Sequence, residues 1–187
     1  MSLINTQAPQ WSATAYLNNE FVEVSSKDVE GKWYILFFYP ADFTFVCPTE
    51  LEDMAEHYDE FKEIGVEIYS VSTDKHFTHM AWHDSSPRIA KIQFPMIGDP
   101  TCEISAAFEA LRKGEGAADR TTVLVDPDGV IQYVETTSEG VGRNAAELVR
   151  KVKAAAYVRE NPGQVCPAHW EQGDETLNPG IKLVGVL

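Results

Sequence analysis

The most constraining feature of this sequence is an apolar run that is followed, after a short loop, by a cysteine at a helix start. Residues 33–39 are rich in aromatic side chains and uninterrupted, as in a buried β-strand, and Pro40 closes the run. Cys47 then opens a helical pattern, with Pro48 in the first turn, where proline is tolerated. The sequence therefore predicts a strand, a loop and a helix that begins at a thiol.

The segments that follow alternate between helical and strand patterns. Apolar residues recur at helical spacing through 51–64, and Gly65 supplies a helix stop. A second strand is predicted at 66–72, and a second helix at about 74–90, which the Ser-Ser-Pro sequence at 85–87 should interrupt or end. The predicted apolar side of that helix carries Phe77, Met80 and Ala81.

The second half of the chain adds a hairpin and a closing helix. After an extended segment at 94–97 and a short helix at about 103–111, predicted strands at 121–125 and 130–134 flank an Asp-Pro-Asp-Gly turn. A long helix opens at Asn144. This order predicts an α/β, thioredoxin-like fold with a central mixed sheet flanked by helices.

Residues 1–160 are expected to form this domain, and residues 161–187 an extended C-terminal tail that carries Cys166. The tail contains Pro and Gly and has few periodic signals, which favours an extended or loosely folded segment. In an open α/β sheet, binding and catalytic residues lie where a strand ends and a helix begins. Cys47 occupies that position in the predicted domain.

The charge of the chain narrows its possible partners. Its 29 acidic and 15 basic residues give a formal charge of −14, which argues against nucleic acid or an anionic membrane as a partner. There is no apolar stretch long enough for a membrane span and no signal-like leader, so a cytoplasmic location is expected. Thiols are kept reduced in the cytoplasm, so a disulfide in this chain would be catalytic or transient.

The cysteines and histidines do not form a metal pattern. The three cysteines are Cys47, Cys102 and Cys166, and no two of them form a C-x-x-C pair. Structural zinc is therefore not expected, and Cys102 is interpreted as non-catalytic. His76, His79 and His83 are interpreted as structural or interface residues. No Gly-x-Gly-x-x-Gly follows a strand, so no cofactor is expected on this chain, NADH and flavin included.

A cysteine at a helix start is suited to nucleophilic chemistry, because the free amides and the dipole of the helix favour an anion there. A Cys47 thiolate can attack an O–O bond if donors stabilise the charge that develops on the departing oxygen. Thr44 can direct a hydroxyl at the sulfur or the peroxide, and Pro40 can shield the sulfur from water. Arg120, just before a predicted strand, can supply cationic donors, and Glu50 can orient that arginine.

The run at 37–51 reads Pro-x3-Thr-x-x-Cys-Pro-Thr-Glu from Pro40 to Glu50. It resembles the peroxidatic signature of the typical 2-Cys peroxiredoxins, and is similar in particular to those of the bacterial alkyl hydroperoxide reductase type. The resemblance covers essentially the whole chain, so it implies the peroxiredoxin variant of the thioredoxin-like fold. Further segments that match the family pattern are 69–74, 79–83, 96–100, 118–120, 125–129 and 162–168.

The resemblance also implies roles for individual residues. Cys47 matches the peroxidatic cysteine, which the substrate oxidises to a sulfenic acid. Cys166 matches the resolving cysteine, which condenses with that sulfenic acid to a disulfide that joins two chains. The residues that match the surroundings of the peroxidatic sulfur are Pro40, Thr44, Glu50, Arg120 and Arg143.

The implied activity is reduction of hydrogen peroxide and alkyl hydroperoxides in antioxidant defence. The implied reductant is thioredoxin or a separate NADH-dependent flavoprotein disulfide reductase, and the implied assembly is a homodimer that associates into a decamer. A ring-forming chaperone or redox relay is an alternative function. A general protein disulfide oxidoreductase is a second alternative, disfavoured because Cys47 lacks a cysteine partner three residues away.

Overall fold

The computed structural model describes residues 2–185 and has the α-helices and mixed β-sheet of an α/β protein. Within this range, seven strands lie in the order β2-β1-β5-β4-β3-β6-β7. The strands are β1 (Ser12–Leu17), β2 (Glu20–Ser25), β3 (Trp33–Phe38), β4 (Val66–Ser72), β5 (Met96–Gly98), β6 (Arg120–Val125) and β7 (Ile131–Thr137). The helices are α1 (Cys47–Glu56), α2 (Tyr58–Ile64), α3 (His76–Ser85), α4 (Glu103–Ala107) and α5 (Ala145–Glu160).

The chain divides into two compact units, Met1–Ala145 and Ala146–Leu187. The first unit holds the sheet and α1 to α4, and the second holds nearly all of α5 and the C-terminal segment. The division at residue 160 stays a prediction, and residues 186–187 of the predicted tail lie outside the described residues. Among residues 2–185, no helix combines the length and the apolar character needed to cross a membrane.

The C-terminal segment of the second unit is held to α5 by polar and aromatic contacts. Arg150 donates from Nη1 to the carbonyl oxygen of Trp170 at 2.9 Å, and the ring centroids of Tyr157 and Trp170 are 5.1 Å apart. An isolated antiparallel bridge joins Val165 to Leu177. The predicted C-terminal tail, which has little regular secondary structure, is therefore held by contacts within its own unit.

β3 and β6 are neighbouring interior strands of the sheet, and all of their residues are buried. A strand that is apolar on both faces has its lowest free energy inside a sheet, which places β3 between β4 and β6. β3 pairs in parallel with β4, with Phe38 opposite Val71, and antiparallel with β6, with Phe37 opposite Thr122. The C-terminal end of β3 and the N-terminal end of β6 consequently meet at one edge of the sheet.

The hairpin of β1 and β2 was not predicted from the sequence. Its turn is Asn18-Asn19, and both residues have a positive φ, 49° and 65°. Asparagine tolerates this left-handed conformation, which a two-residue hairpin turn requires. An Asn-Asn pair is a weaker hairpin signal than Asn-Gly, and this is why the sequence analysis does not predict the hairpin.

The predicted helix at 51–64 is two helices. α1 and α2 are separated at His57, which has φ −98° and ψ 5° and therefore leaves the helical region. The predicted stop at Gly65 is confirmed, because Gly65 has φ 82° and caps α2 in the left-handed conformation.

The apolar side predicted for the second helix is wrong. α3 ends at Ser85, where the Ser-Ser-Pro sequence was expected to interrupt or end the helix, and it buries His79 and Trp82, whereas Phe77 is 56% exposed. His79 can be buried because both ring nitrogens have acceptors: Nδ1 lies 2.7 Å from the Asp42 carboxylate and Nε2 lies 3.0 Å from the Ile97 carbonyl oxygen. These partners are remote in sequence, so helical periodicity could not indicate them.

Candidate active site

The loop between β3 and α1 is fixed by a buried polar network. Asp42 accepts a hydrogen bond from the Tyr39 hydroxyl at 2.7 Å and contacts His79 Nδ1 at 2.7 Å. The backbone amide of Asp42 donates to the Asp74 carboxylate at 2.9 Å. Burial, and then the charge of Asp42, raises the pKa of Tyr39 well above its ordinary value, so the phenol remains a donor. The loop is thereby tied to α3 and to the end of β4.

Cys47 is the first residue of α1, as the sequence predicts, and it is fully buried. Pro48 follows in the first turn, and no side chain caps the helix start. Pro48 has no amide proton, and the amides of Thr49 and Glu50 donate to the Val46 carbonyl oxygen at 3.0 and 3.2 Å. The helix therefore acts on the sulfur mainly through its dipole, which favours a negative charge at the N-terminus.

Arg120, the first residue of β6, reaches the sulfur. Its Nη1 lies 3.3 Å from Cys47 Sγ and 2.8 Å from a carboxylate oxygen of Glu50, and its Nε donates to the Glu139 carbonyl oxygen at 2.8 Å. Burial acts to lower the pKa of Arg120, but the contacts with Cys47 and Glu50 outweigh it and raise the pKa above the ordinary value. The guanidinium is therefore a permanent cation beside the thiol.

Glu50 joins Arg120 to a second buried arginine. One carboxylate oxygen of Glu50 accepts hydrogen bonds from the backbone amide of Arg143 at 2.9 Å and from its Nε at 2.8 Å. The other oxygen accepts from Nη2 of Arg143 at 3.2 Å, as well as from Arg120. One carboxylate thus lies between two guanidinium groups, which leaves net positive charge next to the sulfur.

Two residues that support Arg143 were not identified from the sequence. The guanidinium carbon of Arg143 lies 3.5 Å from the ring centroid of Phe37, and its Nη1 donates to the Thr122 hydroxyl at 3.0 Å. Burial lowers the pKa of Arg143, although the contacts with Glu50 oppose that shift. Phe37 and Thr122 are opposite each other in β3 and β6, a pairing that no local sequence signal indicates.

Pro40 and Thr44 lie in the loop before Cys47. Pro40 is buried, and the Thr44 hydroxyl donates to the Ala41 carbonyl oxygen at 2.9 Å. That bond uses the hydroxyl proton of Thr44 and leaves its oxygen able to accept. Phe43 has φ 55°, and its ring centroid lies 5.9 Å from that of Trp82. The expected contacts of Pro40 and Thr44 with a peroxide remain predictions.

The other two cysteines are Cys102 and Cys166. Cys166, in the second unit, is partly buried, and its Sγ lies 3.9 Å from the Ala154 carbonyl oxygen. Burial raises the pKa of Cys166, and Arg150 opposes that shift. Cys102 lies 3.8 Å from the Gly116 carbonyl oxygen. All three cysteines are free thiols, and within residues 2–185 no group of three metal-binding side chains is clustered.

The fold and the site together define a class: a thioredoxin-like protein with a lone buried cysteine at a helix start, paired with an arginine. A family model described as AhpC/TSA family matches residues 4–134. The chain is 58% identical to alkyl hydroperoxide reductase C of Salmonella typhimurium and 57% identical to that of Bacillus subtilis, and each alignment covers all of both chains. The chain therefore belongs to the AhpC/TSA family.

Solved structures agree with this assignment and confirm the fold. AhpC of Enterococcus faecalis has a TM-score of 0.86 at 47% identity, over 89% of this chain and 100% of that one. A reduced 2-Cys peroxiredoxin of Plasmodium vivax has a TM-score of 0.93 at 32% identity, over 97% of this chain and 96% of that one. The predicted thioredoxin-like, peroxiredoxin-type fold is confirmed, and so is the resemblance to 2-Cys peroxiredoxins.

Proposed function

We propose that this protein is a thiol-dependent peroxidase that reduces hydrogen peroxide and alkyl hydroperoxides. The observation that carries this proposal is the contact between Arg120 Nη1 and the buried Cys47 sulfur at 3.3 Å, next to Glu50. A cation at that distance stabilises a thiolate, which is the form of cysteine that attacks peroxides. The full-length similarity to proteins named alkyl hydroperoxide reductase C supports the same substrate class.

In the first step, the Cys47 thiolate attacks one oxygen of the peroxide. A sulfur–oxygen bond forms and the O–O bond breaks, so the sulfur is oxidised to a sulfenic acid and the peroxide is reduced. The departing oxygen takes a proton and leaves as water or an alcohol. Arg120 donates to the charge that develops on the oxygens, while Thr44 orients the peroxide and Pro40 excludes water. Glu50 and Arg143 hold Arg120 in place.

In the second step, the Cys166 thiol attacks the sulfenic acid of Cys47 of another chain. A disulfide forms and water leaves. The two Cα atoms of a disulfide lie within about 4.4–6.8 Å, so the first turn of α1 has to unwind to present Cys47. An external dithiol then reduces the disulfide by exchange. We assign this role to a separate NADH-dependent flavoprotein disulfide reductase or to thioredoxin, in a reducing cytoplasm.

Non-reducing electrophoresis tests the pairing of the two cysteines. Equimolar hydrogen peroxide should convert the reduced chain into a covalent dimer, because the disulfide joins two chains. Cys47→Ser and Cys166→Ser should each abolish the dimer band, whereas Cys102→Ser should keep it. A dimer band that survives in Cys47→Ser, or that depends on Cys102, would contradict this assignment.

We also propose that homodimers assemble into a decamer in the reduced state. The sheet ends in β2 and β7, and an exposed edge strand is stabilised by pairing with a second chain. Unwinding around Cys47 during oxidation should weaken the assembly. Sedimentation velocity should therefore show a decamer under reducing conditions and smaller species after oxidation. A monomer in the reduced sample would exclude the proposed assembly.

A further inference from the structure

Arg112 forms a charged cluster outside the site described above. Its side chain is only 17% exposed, and three carboxylates surround it. Nε donates to Asp119 at 2.9 Å, and Nη1 donates to Glu115 at 2.8 Å and lies 3.5 Å from the carboxylate of Glu139. Hydrogen bonds with Glu115 and then Asp119 raise the pKa of Arg112 above its ordinary value, so it stays charged.

Two of these carboxylates belong to residues that place Arg120. Asp119 directly precedes Arg120 in the chain, at the point where β6 begins. Glu139 presents its backbone carbonyl oxygen to Arg120 Nε at 2.8 Å. The Arg112 guanidinium therefore contacts two residues. One is Asp119, which precedes Arg120 in the chain, and the other is Glu139, whose carbonyl oxygen accepts a hydrogen bond from the Arg120 side chain.

The loop that carries the Glu139 carbonyl is exposed; hydrogen bonds of Thr137 and Ser138 with Val141 close it, and the contact with Arg112 links it to Asp119. Residues 138–142 are all exposed, and the Glu139 side chain is 73% exposed. The position of this carbonyl decides how Arg120 Nε is directed, while Nη1 of the same planar group must stay 3.3 Å from Cys47 Sγ. A shift of about 1 Å in a positioning contact can lower a rate by a large factor.

We propose that Arg112 is a positioning residue that holds Arg120 against Cys47 through Asp119 and Glu139. This inference rests on the proposed peroxidase function. Arg112 itself touches neither the sulfur nor, in the proposed reaction, the peroxide. Because its partners are largely exposed carboxylates that salt screens, the expected effect is moderate compared with that of Arg120 itself.

The test is the second-order rate constant of reduced protein with hydrogen peroxide, measured by stopped-flow tryptophan fluorescence. Arg112→Met should lower this constant about tenfold, and Arg112→Lys should recover part of the loss. Glu115→Gln removes a partner of Arg112 that does not adjoin Arg120, and it should leave the constant unchanged. Thermal unfolding of each variant separates this effect from a loss of folded protein.

A double-mutant cycle distinguishes positioning from a general structural effect. In an Arg120→Lys background the Nε donor is gone, so adding Arg112→Met should lower the rate no further. An equal fractional loss in both backgrounds, or an unchanged rate for Arg112→Met alone, would overturn the inference.

If Arg112→Met does not fold, Glu139→Ala, which keeps the backbone carbonyl, should show a smaller loss with the same dependence on Arg120. A slow reaction of the unmodified protein would instead overturn the proposed function.

Discussion

Arg120→Met is expected to slow the reaction of Cys47 with hydrogen peroxide by about a hundredfold to a thousandfold. The substitution removes the donor 3.3 Å from the sulfur and the permanent cation beside it, but keeps a side chain of similar length. Both the thiolate and the charge on the departing oxygen lose stabilisation, in a buried setting where such contacts are strong. The measurement is the second-order rate constant by stopped-flow fluorescence.

Arg88→Met is the matched control for this experiment. Arg88 is an exposed arginine that pairs with Glu52 on α1, away from the sulfur contacts described here. Its replacement should leave the rate constant within about twofold, since exposed ion pairs contribute little. A normal rate in Arg120→Met would show that this arginine does not stabilise the transition state.

Glu50→Gln should have the largest effect on stability. The carboxylate of Glu50 is buried and accepts hydrogen bonds from Arg120 and Arg143, including the Arg143 backbone amide. Glutamine preserves the shape but leaves two buried guanidinium groups without their counter-charge. Loss of one partner of a buried ion pair costs about 3–5 kcal/mol. Urea unfolding of the reduced protein measures this difference in the free energy of unfolding.

Glu52→Gln provides a comparison two residues along the same helix. Glu52 pairs with Arg88 and Lys91, which are both about half exposed, so its replacement should change the urea midpoint little. The Glu50 variant should also react more slowly with peroxide, because Arg120 loses the carboxylate that orients it. Equal stability of the two variants would contradict the assigned role of the buried carboxylate.

The parts of the fold that were predicted depend on local signals. The strand of residues 66–72, the stop at Gly65 and the hairpin around Asp126-Pro127-Asp128-Gly129 all follow from periodicity and turn chemistry. The parts that were missed depend on tertiary contacts. α3 is turned so that His79 contacts Asp42, which lies 37 residues earlier, and helical periodicity cannot indicate so distant a partner.

In the site, too, the sequence predicts what local signals determine and misses what tertiary contacts determine. The position of Cys47 at a helix start is visible in the sequence, because the proline and the following periodicity are local. The order of contacts around it is not visible: Glu50 and Arg143 are 93 residues apart in the chain, and Arg112 and Glu139 are 27 apart. Sequence similarity could match Glu50, Arg120 and Arg143 to a family pattern, but only the fold shows that one carboxylate joins both arginines.

The proposed activity depends on the contact between Arg120 Nη1 and the buried Cys47 sulfur, which should make the sulfur reactive toward peroxides. The most direct test is the rate constant of the fully reduced protein with hydrogen peroxide near neutral pH, followed by tryptophan fluorescence. The Phe43 ring, four residues before Cys47, packs near Trp82, so movement of this loop should be reported by that signal. We expect a rate at least about a thousandfold above that of free cysteine, and no such reaction in Cys47→Ser. A rate comparable to that of free cysteine would contradict the proposed activity.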